Sequence, residues 1–485
     1  MTAPLDPRLP VVVGVAAAGP DDGGDDALDL MAVAAEKAAA DASCAALLPA
    51  LDLVLCPRGS WPSTDPAGAL ARRFGAAGAR TVVAELGILQ TTLLSRAAAA
   101  VAAGEADVVL VSGGEARRRA PRHPPAPASP AAGPDGPDEL LAPTGRIISA
   151  EEIGAGLVNA PSHYALLENA RRAALGISRE AHLAAIAELW CRFSAVAAGN
   201  PRAAFGSPWT AVELRSEGGD NRMIAFPYRK WEVSQWNVDQ AAALLVCSVE
   251  AARAHGVAPD RWVFPHAVAE SDHMVPVTER PALHRSPGFS LAGRAALEAA
   301  GTTVDELDLL DLYSCFPVAV SIQAAELGIP LDGQLTVTGG MTFGGGPLNN
   351  YVLQAAVEMC GRLRGGDGRL GLQTAISGMV TKQGVAVWGS EPPARGCRLV
   401  DVTADVAARV TPHPVVSDGA GPATVSTYTV MYGRPDPERA VVLAAQPGGV
   451  RALAVSTDPE VMSAMADDDW LGRRVTLDGR GGFTA

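Results

Sequence analysis

The alternation of apolar and polar positions predicts a strand followed by a helix at the most informative place in the chain. Residues 309–313 are mostly apolar and predict a short strand. Phe316-Pro317 predicts the start of a helix, because proline in the first helical turn lacks only an N–H that would have no partner there. Tyr313, Ser314 and Cys315 therefore lie at a strand-to-helix corner. Since open α/β sheets bind ligands at the carboxyl ends of their strands, we expect a site at this corner.

A glycine-rich turn follows that helix, with the sequence Gly-Gly-Met-Thr-Phe-Gly-Gly-Gly-Pro. Because glycine has no side chain, a ligand can approach the main-chain N–H groups of such a turn. The ligand that we expect there is a carbonyl or thioester oxygen. The candidate substrate-binding residues of the turn are Gly339, Gly340, Gly345, Gly346 and Pro347.

Much of the remaining chain up to residue 392 alternates predicted strands with predicted helices. Strands at 11–15 and 51–56 flank a helix at 27–42, and later a helix at 291–300 precedes the strand that leads to Cys315. This alternation predicts an α/β fold with a parallel sheet covered by helices on both faces. The return of an alanine-rich helix before a Leu/Asp strand that ends in a cysteine indicates an internal repeat.

Two segments depart from this alternation. Residues 117–143 are rich in proline, alanine and glycine and predict an irregular, partly disordered surface loop. Beyond a linker at 391–396, short alternating strands separated by Gly, Pro and Asp predict a small all-β domain at 397–485. We interpret this domain as an OB-like barrel.

Composition limits the classes of function. The chain has 485 residues, 48% of them hydrophobic and 19% charged, which is typical of a globular, enzyme-sized protein. A formal net charge of −14 argues against nucleic-acid partners and anionic membrane surfaces. The start does not resemble a signal peptide, and no run of about eighteen apolar residues occurs, so we expect a cytoplasmic protein without membrane insertion. The seven scattered cysteines form no CxxC, so neither a disulfide frame nor a metal site is expected.

The corner and the glycine turn together resemble two motifs of the thiolase superfamily. Tyr313-Ser-Cys-Phe316 is similar to the family's His-Asp-Cys-Phe corner. The turn is similar to the family's Gly-Gly-x-x-x-x-Gly-His-Pro motif, with Gly346 in place of the histidine. The similarity covers residues 8–392 and is greatest to the actinobacterial thiolase-like proteins related to sterol-carrier-protein thiolases. That group is labelled acetyl-CoA acetyltransferase, and it carries a similar C-terminal extension.

The resemblance implies a duplicated, layered α/β/α core with a loop insertion. On this interpretation residues 1–275 form the first half, including a loop domain at about 117–235, and residues 276–392 form the second half. The OB-like domain at 397–485 follows. The resemblance also implies an acyl-CoA substrate, so that coenzyme A enters as part of the substrate and no cofactor is tightly bound. The expected state is a monomer or a homodimer, and the C-terminal domain offers a surface for a protein partner.

Three side chains that thiolases use are missing at the matching positions. The nucleophilic cysteine falls on Gly87, by the similarity of the segment that starts at Gly104 to the family's helix end and strand. The second cysteine should lie in the turn at 376–384, which contains none, and Gly346 replaces the histidine. Since the family's covalent chemistry needs a cysteine nucleophile, an acyl-cysteine intermediate at the usual place is excluded.

The remaining candidates surround the corner. Cys315 is the predicted catalytic residue for proton transfer, and Tyr313 is the predicted catalytic donor to an enolate oxygen. Ser314 and Phe316 are predicted to contact the substrate. Lys382, in a turn that should face the pocket, is predicted to bind a carboxylate or phosphate. The alternatives are a Cys315 that only packs against Phe316 and a Lys382 that only meets solvent.

Three functions agree with these residues. The first is an acyl-CoA-binding enzyme of thiolase type, an acyltransferase that makes or breaks a C–C bond beside a thioester without the usual cysteine nucleophile. The second is a lyase that cleaves a β-hydroxyacyl-CoA, of the steroid side-chain type, because retro-aldol cleavage requires no acyl-enzyme. The third is a non-catalytic module that binds a CoA ester or a protein.

Overall fold

The computed structural model describes residues 5–119, 136–433 and 436–484. Most of the predicted irregular segment 117–143 therefore lies outside the described residues. Residues Glu139–Leu141 of that segment form a strand, so the prediction of an irregular loop is wrong there.

The chain up to residue 254 contains the first half of the core and the insertion. The core elements are β1 (Pro10–Ala18), α1 (Ala27–Asp41), β2 (Leu53–Pro57), α2 (Pro66–Arg73), β3 (Arg80–Ala84), α3 (Gln90–Ala103), β4 (Val108–Ala116) and β5 (Glu139–Leu141). The insertion contains α4 (Ala150–Gly154), α5 (Ala160–Leu175), α6 (Arg179–Gly199), α7 (Ala211–Arg215), β6 (Met223–Ala225) and β7 (Tyr228–Arg229). The chain then returns to the core with β8 (Asp239–Ser248) and α8 (Val249–Ala254).

The rest of the chain contains the second half of the core and the C-terminal domain. The second half has β9 (Phe264–Ser271), α9 (Pro287–Ala300), β10 (Leu309–Asp311), α10 (Pro317–Leu327), α11 (Tyr351–Gly365), β11 (Leu370–Ser377) and β12 (Lys382–Gly389). After these come β13 (Arg398–Asp401), α12 (Thr403–Arg409), β14 (Val415–Val416), β15 (Ala420–Tyr432), β16 (Pro437–Ala445), β17 (Arg451–Ser456), α13 (Pro459–Asp467), β18 (Arg474–Asp478) and β19 (Phe483–Thr484).

Both core sheets are mixed, so the prediction of a parallel sheet is only partly right. The first sheet has the order β1-β8-β4-β2-β3-β5, in which β8 is antiparallel to both of its neighbours. β2 is parallel to β3 and β4. The second sheet has the order β10-β11-β12-β9-β13, and β12 is antiparallel to β9 and β11. β8 is buried along its whole length, which is typical of a central strand covered on both faces.

Helices and sheets stack in layers. α1 and α2 pack on the outer face of the first sheet, and α3 and α11 lie between the two sheets. α9 covers the other face of the second sheet. The packing is close: a Cβ atom at Gly14 of β1 would overlap the carbonyl oxygen of Ala38 in α1. The layers leave the strand-to-helix corner after β10 facing the insertion.

The C-terminal sheet has the order β14-β17-β16-β15-β18-β19. A bridge between Val455 and Gly482 joins its two sides, so the sheet closes on itself. β6 of the insertion pairs with β15 at Ala225 and Met431, which ties the insertion and the C-terminal domain into one sheet. β13, although inside the predicted range 397–485, pairs with β9 and extends the second core sheet. The OB-like assignment and the domain boundaries stay predictions.

None of the helices in the described ranges is long and apolar enough to cross a membrane.

Candidate functional site

A cavity of about 740 Å³ lies beside the predicted corner. Its wall is built from both core halves, the insertion and the C-terminal domain. The wall includes Gly87, Gln90, Tyr164, Ser234, Trp236, Tyr313, Cys315, Phe316, Met341, Gly346, Asn349, Met431 and Tyr432. The structure therefore brings Tyr313, Cys315, Phe316 and Gly346, among the predicted site residues, onto one surface.

The corner is fixed by the buried carboxylate of Asp311, the last residue of β10. This carboxylate accepts hydrogen bonds from the Thr336 hydroxyl at 2.9 Å, the Val337 N–H at 3.0 Å and the Tyr351 hydroxyl at 2.9 Å. Burial raises the pKa of Asp311, and these hydrogen bonds oppose the rise because they favour the charged form. Asp311 thus ties the strand end to the segment that leads into the glycine turn.

Ser314 connects the corner to the glycine turn. Its hydroxyl oxygen accepts a hydrogen bond from the Met341 N–H at 3.1 Å and lies 3.4 Å from the Tyr351 hydroxyl. Ser314 is fully buried, so in this arrangement its hydroxyl holds the backbone of the turn. Its predicted contact with the substrate stays a prediction.

The Cys315 thiol lies on the cavity wall between two tyrosines. Burial raises the pKa of Cys315 to about 12, and a hydrogen bond from the Tyr164 hydroxyl offsets part of that rise. The negative charge of a Cys315 thiolate would in turn raise the pKa of Tyr313 and Tyr164, which burial already raises. All three groups are therefore protonated at neutral pH, so Cys315 is suited to giving a proton rather than to attacking as a thiolate.

Tyr164 is a site residue that sequence reasoning missed. It lies near the start of α5, after the N-cap Asn159 and the first-turn Pro161, and its ring stacks on Phe316 with centroids 4.2 Å apart. Asn159 and Pro161 are recognisable helix-start signals, but they do not show which surface the helix meets. Two further missed residues, Asn349 and Met431, also line the cavity.

Three main-chain N–H groups of the glycine turn already have partners. The N–H of Gly339 donates to the Thr336 hydroxyl at 3.0 Å, and the N–H of Gly340 donates to the Thr338 hydroxyl at 3.1 Å. The N–H of Gly346 donates to the Gln235 carbonyl at 3.0 Å. The prediction of N–H groups free for a ligand oxygen is therefore wrong for Gly339, Gly340 and Gly346, because neighbouring hydroxyl and carbonyl groups accept from them.

Packing against the insertion explains the first glycines of the turn. Gly339 and Gly340 have φ values of +92° and +74°, in the left-handed region that favours glycine. A Cβ atom at Gly339 would overlap Ala197 of α6, and one at Gly340 would lie 2.5 Å from the Phe193 ring. A Cβ atom at Gly345 would overlap the side chain of Gln240. Whether these glycines and the buried Pro347 contact the substrate stays a prediction.

Gly346, which stands where thiolases have a histidine, faces Ser234 of the insertion. A Cβ atom at position 346 would overlap the Ser234 hydroxyl oxygen. The N–H of Ser234 also donates to the Cys315 carbonyl at 3.0 Å. Ser234 therefore occupies the space into which a side chain at position 346 would extend.

Gly87, the counted position of the thiolase nucleophile, lies on the cavity wall. Its φ of +104° is unfavourable for other residues, and a Cβ atom there would lie 2.8 Å from Pro143 Cγ. The Gly87 carbonyl accepts a hydrogen bond from the Lys382 ammonium at 2.7 Å.

Lys382 is fully buried at the start of β12 and pairs with Ser377 of β11. The prediction that it lies in a turn, and the alternative that it meets solvent, are both wrong. Its ammonium also forms an ion pair with Asp272. Its predicted role in binding a carboxylate or phosphate stays a prediction. Among the described residues, no group of three or more His, Cys, Asp and Glu side chains could hold a metal ion.

Comparison with known proteins agrees with this geometry. Residues 401–481 match the family model described as the thiolase-like protein type 1 additional C-terminal domain. The structure of a monomeric SCP2-thiolase-like protein type 1 from Mycobacterium smegmatis is 30% identical, with a TM-score of 0.83, and the match covers 99% of each chain. The Ltp2-ChsH2(DUF35) aldolase is 20% identical, with a TM-score of 0.58, over 79% of this chain and 99% of that chain, and shows the fold alone.

An acetyl-CoA acetyltransferase of Methanothermobacter thermautotrophicus is 26% identical over 239 residues, which is 46% of this chain. The match covers 59% of that protein, so the chain spans less than two thirds of its length. The near-complete match to the mycobacterial structure confirms the predicted fold, a thiolase-type α/β core with an added C-terminal domain. The chain therefore belongs to the thiolase superfamily, within the group of SCP2-thiolase-like proteins type 1.

Proposed function

We propose that this protein binds acyl-CoA thioesters and makes or breaks a carbon–carbon bond beside the thioester carbonyl without an acyl-enzyme. One observation carries the proposal: Cys315, Tyr313 and Tyr164 lie together on the wall of a large cavity, and the Tyr164 hydroxyl forms a hydrogen bond with the Cys315 thiol. Coenzyme A enters as part of the substrate, and no tightly bound cofactor is needed.

The three groups have two roles in enolate chemistry: the tyrosine hydroxyls donate hydrogen bonds, and the thiol donates a proton. Burial raises the pKa of Tyr313 and Tyr164, so their hydroxyls stay protonated and can donate to the oxygen on which negative charge develops. The Cys315 thiol supplies a proton to the α-carbon. The partners of the Gly339 and Gly340 N–H groups support these roles, because these two N–H groups are not free to donate to the thioester oxygen.

Retro-aldol cleavage of a β-hydroxyacyl-CoA is the reaction that suits these groups best. The bond between the α- and β-carbons breaks, and its electron pair passes toward the thioester enolate. In the same step the Cys315 thiol gives its proton to the α-carbon and its sulfur takes the proton of the β-hydroxyl, so that no separate base is required. The products are an aldehyde or ketone and a shortened acyl-CoA, and no step needs a nucleophile at position 87.

A calorimetric titration with CoA and acetyl-CoA, followed by intact mass measurement of the same sample, tests binding. We expect heat of binding and no mass increase. Acylation of Cys315 would contradict the proposal, because it would show that the thiol acts as a nucleophile.

Incubation with a β-hydroxyacyl-CoA, with the released carbonyl compound trapped as a hydrazone, tests the reaction. Tyr313→Phe removes one hydroxyl and is expected to abolish release while binding is retained. A matched control, Tyr428→Phe, removes a hydroxyl in the buried core of the C-terminal domain, away from the cavity wall, and should leave release intact.

A non-catalytic module that binds CoA esters is the second candidate. The observation that favours it is the absence of side chains at Gly87 and Gly346. Binding of CoA esters with no carbonyl release from any β-hydroxyacyl-CoA would support this second function. The mycobacterial relative is described as monomeric, which supports a monomer here.

A further inference from the structure

We propose that the protein has a second ligand site, which binds a protonated organic amine with an apolar body through the carboxylate of Glu270. The site is a cavity of about 530 Å³, separate from the cavity beside Cys315. We call it the acidic cavity, because the charged side chains of its wall are all carboxylates. Neither the occupant nor its binding depends on the proposed acyl-CoA function.

The acidic cavity lies where the two core sheets come to an end. β5 is the last strand of the first sheet and β13 is the last strand of the second sheet, and both line the cavity. α3 and the end of β9 supply most of the remaining wall. Leu140, Leu141 and Leu399 give the cavity apolar surface on two sides. Of the described residues, Ile88 alone lines both this cavity and the one beside Cys315, so the two spaces are neighbours with different walls.

The charge on this wall selects a cation. Its charged side chains are Glu270, Asp272 and Asp401. Asp272 forms an ion pair with the Lys382 ammonium, and the Asp401 carboxylate accepts a hydrogen bond from the Thr403 N–H at 2.8 Å. Within the described ranges, no Lys, Arg or His side chain lines the cavity. The wall therefore attracts a positively charged ligand and repels anions such as the phosphates of a CoA ester.

Glu270 is the carboxylate on which the ligand cation binds. It is half-buried, and it accepts hydrogen bonds from the hydroxyls of Thr91, of Thr92 at 3.1 Å and of Ser95 at 3.3 Å. Burial raises the pKa of Glu270 to about 7, the hydroxyls oppose this rise, and the charge of Asp272 adds to it. The neutral hydroxyls hold the carboxylate in place and leave its charge uncompensated. Since the ionised form is favoured by a charged donor, a protonated amine completes the surroundings of this carboxylate.

The size and the walls of the acidic cavity favour an organic amine over a metal ion. A volume of about 530 Å³ lies within the range of small-molecule sites, which combine apolar surface with a few polar groups. In the part of the chain that the structure describes, no group of three or more His, Cys, Asp and Glu side chains could hold a metal ion. A primary alkylamine matches both features of the wall, because its chain packs against the leucines while its ammonium donates to Glu270.

Calorimetric titration of the full chain with hexylamine, hexanol and hexanoate at pH 8 tests the site. At this pH hexylamine is protonated, and Glu270 is mostly ionised. We expect hexylamine to bind with one-to-one stoichiometry and at least about tenfold more tightly than hexanol, because its hydrogen bond to the carboxylate is charge-assisted. Hexanoate should not bind, because the wall carries the same sign of charge.

Glu270→Gln keeps the shape of the side chain and should remove about tenfold of the affinity for hexylamine. The matched control is Glu115→Gln, because Glu115 is a buried carboxylate that accepts from the Ser60 hydroxyl at 2.6 Å and lines neither cavity. Its replacement should change no affinity. Leu399→Trp enlarges a side chain of the wall that is 41% exposed, and it should weaken the binding of hexylamine and hexanol alike.

Far-UV circular dichroism of each variant verifies folding. Failure of hexylamine to bind, or equal affinity for hexylamine and hexanol, would overturn the inference. An affinity for hexylamine that Glu270→Gln leaves unchanged would overturn the role of Glu270, and one that Leu399→Trp leaves unchanged would place the amine outside the acidic cavity. The proposed acyl-CoA function is untouched by any of these results, since no CoA ester is used.

Discussion

Asp52 in the first half of the core and Asp308 in the second half have the same structural role. The Asp52 carboxylate accepts hydrogen bonds from the N–H groups of residues 107–108, at 2.8 and 3.0 Å, where β4 begins. The Asp308 carboxylate accepts from the N–H groups of residues 369–370, at 2.7 and 3.0 Å, where β11 begins. The internal repeat indicated by the sequence is therefore visible in the hydrogen bonds of the two halves.

The same comparison shows that the two cysteines that suggested the repeat lie at different positions relative to the ends of their strands. With Asp52 aligned to Asp308, Cys56 falls opposite Leu312, and Cys315 lies three residues further along. Cys56 is inside β2 and fully buried, whereas Cys315 lies beyond the end of β10 on the cavity wall. The two halves share a framework, and the position of a thiol relative to the strand end determines whether it lies on the cavity wall.

The sharpest test of this difference is Cys315→Ala. Under the proposed function, removal of the proton donor should lower kcat for carbonyl release by about 10³-fold, within the range of general acid catalysis. The paired variant Cys56→Ala should leave kcat unchanged and only lower the melting temperature. Equal losses of kcat in both variants would contradict the assignment of Cys315.

Asp311→Asn should produce the next largest effect. Asp311 is fully buried and accepts hydrogen bonds from several groups, so an amide leaves some of these donors without an acceptor. We expect the free energy of unfolding in urea to fall by about 3 kcal/mol. Asp332→Asn, at an exposed position, is the control and should change this free energy very little.

The pH dependence of alkylation by iodoacetamide tests the environment of Cys315. Because burial raises the pKa of its thiol to about 12, the protonated thiol remains the dominant form even at pH values well above neutral. The rate at Cys315, followed by peptide mass spectrometry, should rise about tenfold per pH unit up to pH 9 without a plateau, because only the thiolate reacts. A plateau near pH 8 would show an activated thiol instead.

The smallest effects are expected at the repeated carboxylates. Asp52→Ala and Asp308→Ala should each lower the free energy of unfolding by about 1 kcal/mol, the net worth of the hydrogen bonds removed. Urea unfolding of both variants measures whether the losses agree. A clear difference between the two losses of unfolding free energy would contradict the equivalence of Asp52 and Asp308.

Local pattern was enough to predict the corner and the helix after it. α10 begins at Pro317, as the proline in the first turn indicated, and Cys315 lies on a cavity wall. β10 ends two residues earlier than predicted, at Asp311. The Asp311 carboxylate accepts hydrogen bonds from the segment at 336–338, and these bonds fix the end of the strand. The spacing of apolar residues along the sequence cannot predict such a contact between distant segments.

Contacts between distant segments could not be read from the sequence. Glycine content suggested open N–H groups, but the acceptor hydroxyls of Thr336 and Thr338 and the Gln235 carbonyl engage them in the folded chain. Tyr164 reaches Cys315 from a helix of the insertion, far away in the chain. The antiparallel direction of β8 depends on how the chain returns after that insertion, which strand patterns do not encode.

The overlap at Gly346 and the contact at Gly87 make the departure from thiolase chemistry hard to reverse. A histidine at position 346 requires Ser234 to move, and a cysteine at position 87 requires Pro143 to move. Each restoring substitution alone therefore creates a steric overlap with its neighbour. In evolutionary terms, the return of either thiolase side chain requires a change at a neighbouring position as well.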